Sequence, residues 1–349
     1  MAPLILALKN EPWADVTTVA TAQHREMLDQ VLRFFNIYPE LDLDLMRPDQ
    51  GLADLTARLL QALDRTLATV RPHAVLVQGD TTTAMAASLA SFYRQTPVGH
   101  VEAGLRSGDS ANPFPEEVNR VIASKLARWH FAPTQFARGN LLREGVADQH
   151  VMVTGNTVID ALLVTAAKEM PLEMEVEPNT RVVLVTVHRR ENFGAPFLEI
   201  CSALHELAKR NPNVHFLYPV HPNPIVRTPA FEQLQACHNI HLCAPLEYSQ
   251  FVAAMQRAYL IISDSGGVQE EAPALGKPVL VLREQTERPE ALALGLVKLV
   301  GHSRERILRE AQLLLDDRHA YDRMAGKASP YGDGQAAARI VEVLRRHFT

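Results

Sequence analysis

Ile261-Ile262-Ser263-Asp264-Ser265-Gly266-Gly267-Val268-Gln269-Glu270-Glu271-Ala272-Pro273 is the stretch from which the fold is read. Its apolar run ending in Asp264 reads as a buried parallel strand. Ser265-Gly266-Gly267 reads as a tight turn, and Val268 to Leu275 as a helix stopped by Gly276 and Lys277-Pro278. A strand feeding a helix through two glycines points unpaired backbone N–H groups and the positive end of the helix dipole at one spot. Anions, phosphates above all, bind there. One turn into the helix, Glu270 and Glu271 form a carboxylate pair suited to a ribose hydroxyl. A second apolar strand, Pro278 to Leu282, leads to Thr286-Glu287-Arg288-Pro289-Glu290 and brings an arginine toward the same edge. An ordinary strand–turn–helix corner is the plain alternative; the added arginine favours a nucleotide-diphosphate site.

Outward from this stretch, helical and strand periods alternate along the chain, the pattern of a doubly wound parallel sheet. Strands are expected at Val16–Ala20, Ala74–Gln78, Pro97–Val101, Trp129–Phe131 and Val151–Asn156. Helices are expected at Arg25–Phe35, Leu52–Leu67, Thr81–Phe92 and Glu116–Ala127. Residues 170–180, with Pro171, Pro178 and several glutamates, read as a linker. A second α/β run follows, and Ala336–His347 reads as a closing amphipathic helix. The fold expected is α/β, with two Rossmann-like doubly wound domains facing a cleft. Residues 1–168 form the first, 169–331 the nucleotide-binding second, and 332–349 a helix packing back on the first.

Composition narrows the class. The 349 residues are 47% hydrophobic and 21% charged, as in globular enzymes. A net charge of −5 argues against a nucleic-acid partner. Mean hydropathy is −0.08, and no apolar run is long enough to span a bilayer. No signal peptide is read at Met1–Asn10. The 3 cysteines, Cys201, Cys237 and Cys243, form no disulfide framework, so a reducing cytoplasm is expected. The Cys237-His238-Asn239-Ile240-His241-Leu242-Cys243 cluster matches no zinc spacing. There is no Gly-x-Gly-x-x-Gly, no Walker loop and no nucleophile elbow, so no nicotinamide cofactor or metal is expected.

Ligands of open α/β sheets sit beyond the carboxyl ends of the strands. Gln78-Gly79-Asp80-Thr81, His100-Val101-Glu102-Ala103 and Thr186-Val187-His188-Arg189-Arg190 all fall at such ends. Asp80 and Glu102, with Glu116 at a helix start, would set three carboxylates on one rim. Each has a simpler reading: Asp80 as a helix cap, Glu116 as a favourable first-turn acid. Three together suit removal and return of a proton at an unactivated carbon. His188-Arg189-Arg190 adds a titratable ring and cations.

Several long motifs carry a resemblance. His24-Arg25-Glu26-Met27-Leu28-Asp29-Gln30, Gly79-Asp80-Thr81-Thr82-Thr83, Gly99 to Arg106 and Pro115 to Arg120 resemble the non-hydrolysing UDP-N-acetylglucosamine 2-epimerases of bacteria. So do Thr154 to Asp160, His188 to Asn192, Asp264 to Pro273, Thr286 to Glu290 and Pro330 to Gly334. The resemblance implies a GT-B-like pair of domains and a cytoplasmic homodimer without cofactor. It further implies interconversion of UDP-N-acetylglucosamine and UDP-N-acetylmannosamine for cell-surface polysaccharide synthesis, through elimination and re-addition of UDP. By position it makes Asp80, Glu102 and Glu116 the acid/base carboxylates and His188 the essential histidine. Ser265, Gly266 and Gly267 become the diphosphate turn, Glu271 the ribose contact, Arg288 the phosphate arginine, and Leu246 and Phe251 the uracil surround. Gln23, Arg189 and His221 match an effector site. Glu26 and Asp49 replace the glutamine and arginine of regulated members.

One departure concerns the start. The family opens with an apolar strand and a Gly-Thr-Arg-Pro-Glu-Ala-Ile-Lys segment ahead of the position of Met1. The expectation is that Met1 is internal to a longer natural protein, and that the 349 residues alone are weakly active or fold poorly. Two other functions compete: a GT-B glycosyltransferase, and a nucleotide-sugar-binding regulator without turnover. The three carboxylates with His188 favour the epimerase.

Overall fold

The computed structural model describes residues 1–21, 25–47, 50–172, 179–326 and 329–349, with the backbone alone for 25–27. It divides into two compact units, Met1–Ala161 with Tyr331–Thr349, and Leu162–Pro330. The sequence places the division at 168/169 and assigns Tyr331 to the second unit. The structure puts it at 161/162, within the helix Thr157–Ala166, and returns Tyr331 to the first. Tyr331 is fully buried, and its carbonyl accepts the Asn156 N–H at 2.6 Å. Of the expected linker, 173–178 lie outside the described residues.

In the first unit, β1 (Val19–Ala20) pairs in parallel with β2 (Leu41–Asp42). A separate parallel sheet runs in chain order through β3 (Val75–Gln78), β4 (Val98–Val101), β5 (Trp129–Ala132) and β6 (Val151–Val153). Among the described residues no strand bridges β1 and β3. Every residue of β4 and β5 is buried, because helices cover both faces and a strand enclosed on both sides must be apolar throughout or satisfy its polar groups. One layer holds Leu55, Leu59, Leu63, Val77 and Ala84; the other holds Leu4, Trp129, Phe131, Ile340 and Leu344. The closing helix Ala336–Phe348 therefore belongs to this core. Asp160 fixes its start by accepting the N–H groups of Ala336 at 3.2 Å and Ala337 at 2.8 Å.

The second unit is one six-stranded parallel sheet of β7 (Arg181–Thr186), β8 (Val214–Pro219), β9 (Ile240–Cys243), β10 (Leu260–Ser263), β11 (Val279–Val281) and β12 (Val297–Leu299). Its order is β12-β11-β10-β7-β8-β9. The chain winds outward one way from β7 and the other way from β10, so the winding reverses between these two neighbours. Loops leaving adjacent strands on opposite sides of a sheet open a crevice at their carboxyl ends. His188 follows β7 and Ser265 follows β10, which places both at that reversal. Among the described residues, no helix is long and apolar enough to cross a membrane.

Candidate active site

The helix after β10 begins earlier than the sequence suggests. It spans Gly266–Ala274 with Ser265 as its N-cap, so the glycines are its first turn rather than a loop ahead of it. Missing side chains matter here. A Cβ on Gly266 would lie 2.7 Å from Nη1 of Arg288 and 3.3 Å from Nη2 of Arg189. Two guanidinium groups thus lie against the bare backbone of a helix N-terminus, an arrangement that attracts multiply charged anions. The arginines are braced by acids. Arg288 Nε donates to Glu270 at 2.5 Å and its Nη1 to Glu287, while Arg283 reaches Glu191 at 2.8 Å and Glu287 at 2.9 Å. Burial pushes the Glu287 carboxyl up, but Arg288, Arg283 and Arg189 outweigh it and hold it at about 2.

Asp264, fully buried, organises the loop from β7. It accepts from His188 N at 3.0 Å, Arg189 N at 2.8 Å and Asn192 Nδ2 at 3.0 Å. Burial opposes its charge, and the donors, with His188 first among them, still bring it below the ordinary aspartate value. His188 Nδ1 lies 3.2 Å from Asp264 Oδ1 and 44% of its side chain is exposed. A carboxylate against Nδ1 selects the tautomer protonated there, which leaves Nε2 as the exposed acceptor.

Glu271 follows Glu270 in the same helix. It is buried, and burial together with Glu270 raises its carboxyl to about 8. Its Oε2 would lie 3.6 Å from a Cβ on Gly267. The Tyr248 phenol is pushed up by its own burial and by Glu271, which brings the start of helix Tyr248–Arg257 within electrostatic reach of that carboxyl. Phe251 lies in this helix and Leu246 just before it, both half-buried.

The first unit gathers its acids around the ends of β3 and β4. Gly79 has φ +70°, and a Cβ there would sit 3.2 Å from Glu102 Oε2. The Glu102 carboxylate therefore leans over the residue next to Asp80. Asp80 is ion-paired to Arg120 Nη2, and its carbonyl accepts from Asn119 Nδ2 at 3.0 Å. Both partners project from helix Glu116–Leu126, so this helix is tied to the β3 turn with Glu116 at its start. Glu117, beside it, is structural: it receives the Ser107 and Gly108 N–H groups and pairs with Arg120 at 3.1 Å. The Glu116 side chain makes no hydrogen bond or ion pair among the described residues.

Of the effector candidates, His221 lies with its ring 6.5 Å from that of His188, and Arg189 stands over Gly266. Gln23 lies outside the described residues, as do Asp49 and the Glu26 side chain. Sequence reading passed over Asp264, Arg120 and Asn156 as individual groups. An acidic residue closing an apolar strand run is the signal that would have marked Asp264. Among the described residues no group of three or more His, Cys, Asp or Glu is arranged to hold a metal ion.

A family model described as UDP-N-acetylglucosamine 2-epimerase matches residues 6–345. The chain belongs to this family. The UDP-N-acetylglucosamine 2-epimerase of Escherichia coli (strain K12) is 50% identical over 357 residues, covering 99% of this chain and 95% of that protein. The crystal structure of the Neisseria meningitidis enzyme bound to UDP-GlcNAc superposes with a TM-score of 0.94 at 47% identity, covering 99% of this chain and 96% of the other. The Methanocaldococcus jannaschii enzyme in complex with UDP-GlcNAc and UDP gives 0.84 at 31%, covering 99% and 95%. The protein is thus an isomerase, and its reaction is epimerisation at carbon 2 of UDP-N-acetylglucosamine.

Proposed function

We propose that the two sets of residues act on one UDP-N-acetylglucosamine molecule. The diphosphate binds at Ser265, Gly266 and Gly267 with Arg288 and Arg189 as its cationic donors and His188 beside them. Glu271 takes the ribose hydroxyls, and Leu246 and Phe251 enclose the uracil. When the bond between carbon 1 and oxygen breaks, its electron pair stays on the β-phosphate, where cations and the helix dipole stabilise the new charge. The proton on carbon 2 passes to a carboxylate and a double bond forms between carbons 1 and 2. UDP then re-adds at carbon 1 while a proton arrives at carbon 2 on the opposite face, giving UDP-N-acetylmannosamine. Two faces require two proton carriers.

The partners of the three carboxylates suggest a division of labour. Asp80 is bound by the Arg120 guanidinium and Glu102 by the Asn156 amide donor. Glu116 carries no such partner among the described residues. We assign Glu102 as the base for one face, Glu116 as the donor for the other, and Asp80 as a fixed negative charge beside the cation-like sugar. We further infer a cytoplasmic homodimer serving cell-surface polysaccharide synthesis, on the strength of the family resemblance. Sedimentation at micromolar concentration checks the dimer.

The observation that carries the binding reading is the pair of guanidinium groups over Gly266. Calorimetry with UDP tests it. Arg288→Met should weaken UDP binding by about tenfold or more, the loss of a charge-assisted contact to phosphate. Unchanged affinity would contradict the assignment.

A further inference from the structure

Asn156 follows β6 in the stretch Thr154-Gly155-Asn156-Thr157, and it is 1% exposed. Its amide has two ends with different obligations. Oδ1 accepts the Val158 N–H at 3.2 Å, capping the first turn of helix Thr157–Ala166. That leaves Nδ2 as the end facing Glu102, whose Oε1 it reaches at 3.1 Å. The Asn156 backbone is held as well, by its bond to the Tyr331 carbonyl and by the close passage of Gly155 against Gly332. Turning the amide over would lose the cap and set a carbonyl against a carboxylate. Glu102 itself has φ +65°, a backbone conformation that a side-chain-bearing residue keeps only when its surroundings impose it.

We propose that Asn156 is a positioning residue for the epimerisation: it keeps Glu102 ionised and aimed, ready to accept the proton from carbon 2. This rests on the role given to Glu102 above. A side chain that can only donate toward Oε1 favours the carboxylate over the acid. Other charged groups also face Glu102. The Met1 ammonium is electrostatically coupled to it and to Asp160, and Asp80 with its Arg120 partner follows the Gly79 turn. His100, in the preceding strand, is fully buried and held neutral, its value brought down to about 4 by desolvation, and bonds the Gly79 carbonyl. All of these are common to the native protein and to a substitution at 156, so a difference between the two reads the amide alone.

The test is Asn156→Asp. Aspartate keeps the oxygen that caps Val158 and nearly the same volume, but sets a negative charge against Glu102 and raises its pKa. The acid limb of the kcat/KM profile should move up by about one pH unit or more. At neutral pH kcat should fall by roughly tenfold or more and recover as pH rises, with KM held within about twofold. A profile superposable on the native one, or a loss independent of pH, overturns the proposal. Should N156D not fold, the double variant E102Q/N156D exchanges donor and acceptor across the same bond. It should fold with the native melting temperature; one no more stable than N156D overturns the proposal. Glu102→Gln alone separates the two layers of the argument. A fully active E102Q removes the role of Glu102 and that of Asn156 with it. An inactive E102Q beside an unshifted N156D overturns the role of Asn156 only.

Discussion

Glu271 is a carboxyl whose ionisation the fold resists, and the sign of that effect is measurable. Its value rises from 4.5 to about 8 through burial and Glu270. The folded protein keeps a proton that the unfolded chain has already released. Stability from the neutral carboxyl is therefore complete below the unfolded value and declines as pH rises toward 8. Glu271→Gln should remove that decline, so the melting temperature of the variant relative to the native protein should climb between about pH 5 and pH 8. A constant difference would contradict the burial argument. Gly79 makes a second case. A side chain at φ +70° is strained by about 1 kcal/mol and would press on the Glu102 carboxylate. Gly79→Ala should lower kcat by roughly tenfold while leaving KM nearly unchanged, as expected for a change in acid placement rather than in substrate grip.

At the scale of elements, the closing helix Ala336–Phe348 depends on one remote cap. Asp160 accepts its first N–H groups and places a negative charge at the positive end of its dipole. Asp160→Ala should cost about 1–2 kcal/mol, read by denaturant unfolding. The alternation of strands and helices was legible because fully buried parallel strands such as Val182–Val185 and Leu260–Ile262 read as unbroken apolar runs. Helices Pro224–Leu234 and Arg318–Met324 were not legible. The first contains Pro229 and a weak apolar stripe; the second is a single short segment after Asp317. The start of helix Gly266–Ala274 was misplaced by two residues, since glycine reads as a turn by propensity while tertiary contacts draw it into the helix. In the site, charged residues at strand ends could be picked out from sequence. Their partners could not: Arg120 reaches Asp80 across 40 positions, and Asn156 reaches Glu102 across 54. No local pattern encodes such pairings.

For the whole molecule, binding and proton transfer are assigned to different units of the chain, and each half has its own signature. UDP alone should slow amide exchange at 186–192 and 264–271, around the Asp264 loop and the Gly266 helix. Protection confined to other segments would contradict the placement of the diphosphate. The division among the carboxylates is the central claim, and solvent isotope at carbon 2 reads it directly. Incubated with UDP-N-acetylglucosamine in heavy water and followed by NMR, the native protein should place deuterium on carbon 2 of both epimers. Glu116→Gln should return deuterium to UDP-N-acetylglucosamine through Glu102 but form UDP-N-acetylmannosamine at least about a hundredfold more slowly, the scale of a lost general acid. Labelled UDP-N-acetylmannosamine formed by Glu116→Gln at the native rate would contradict the account.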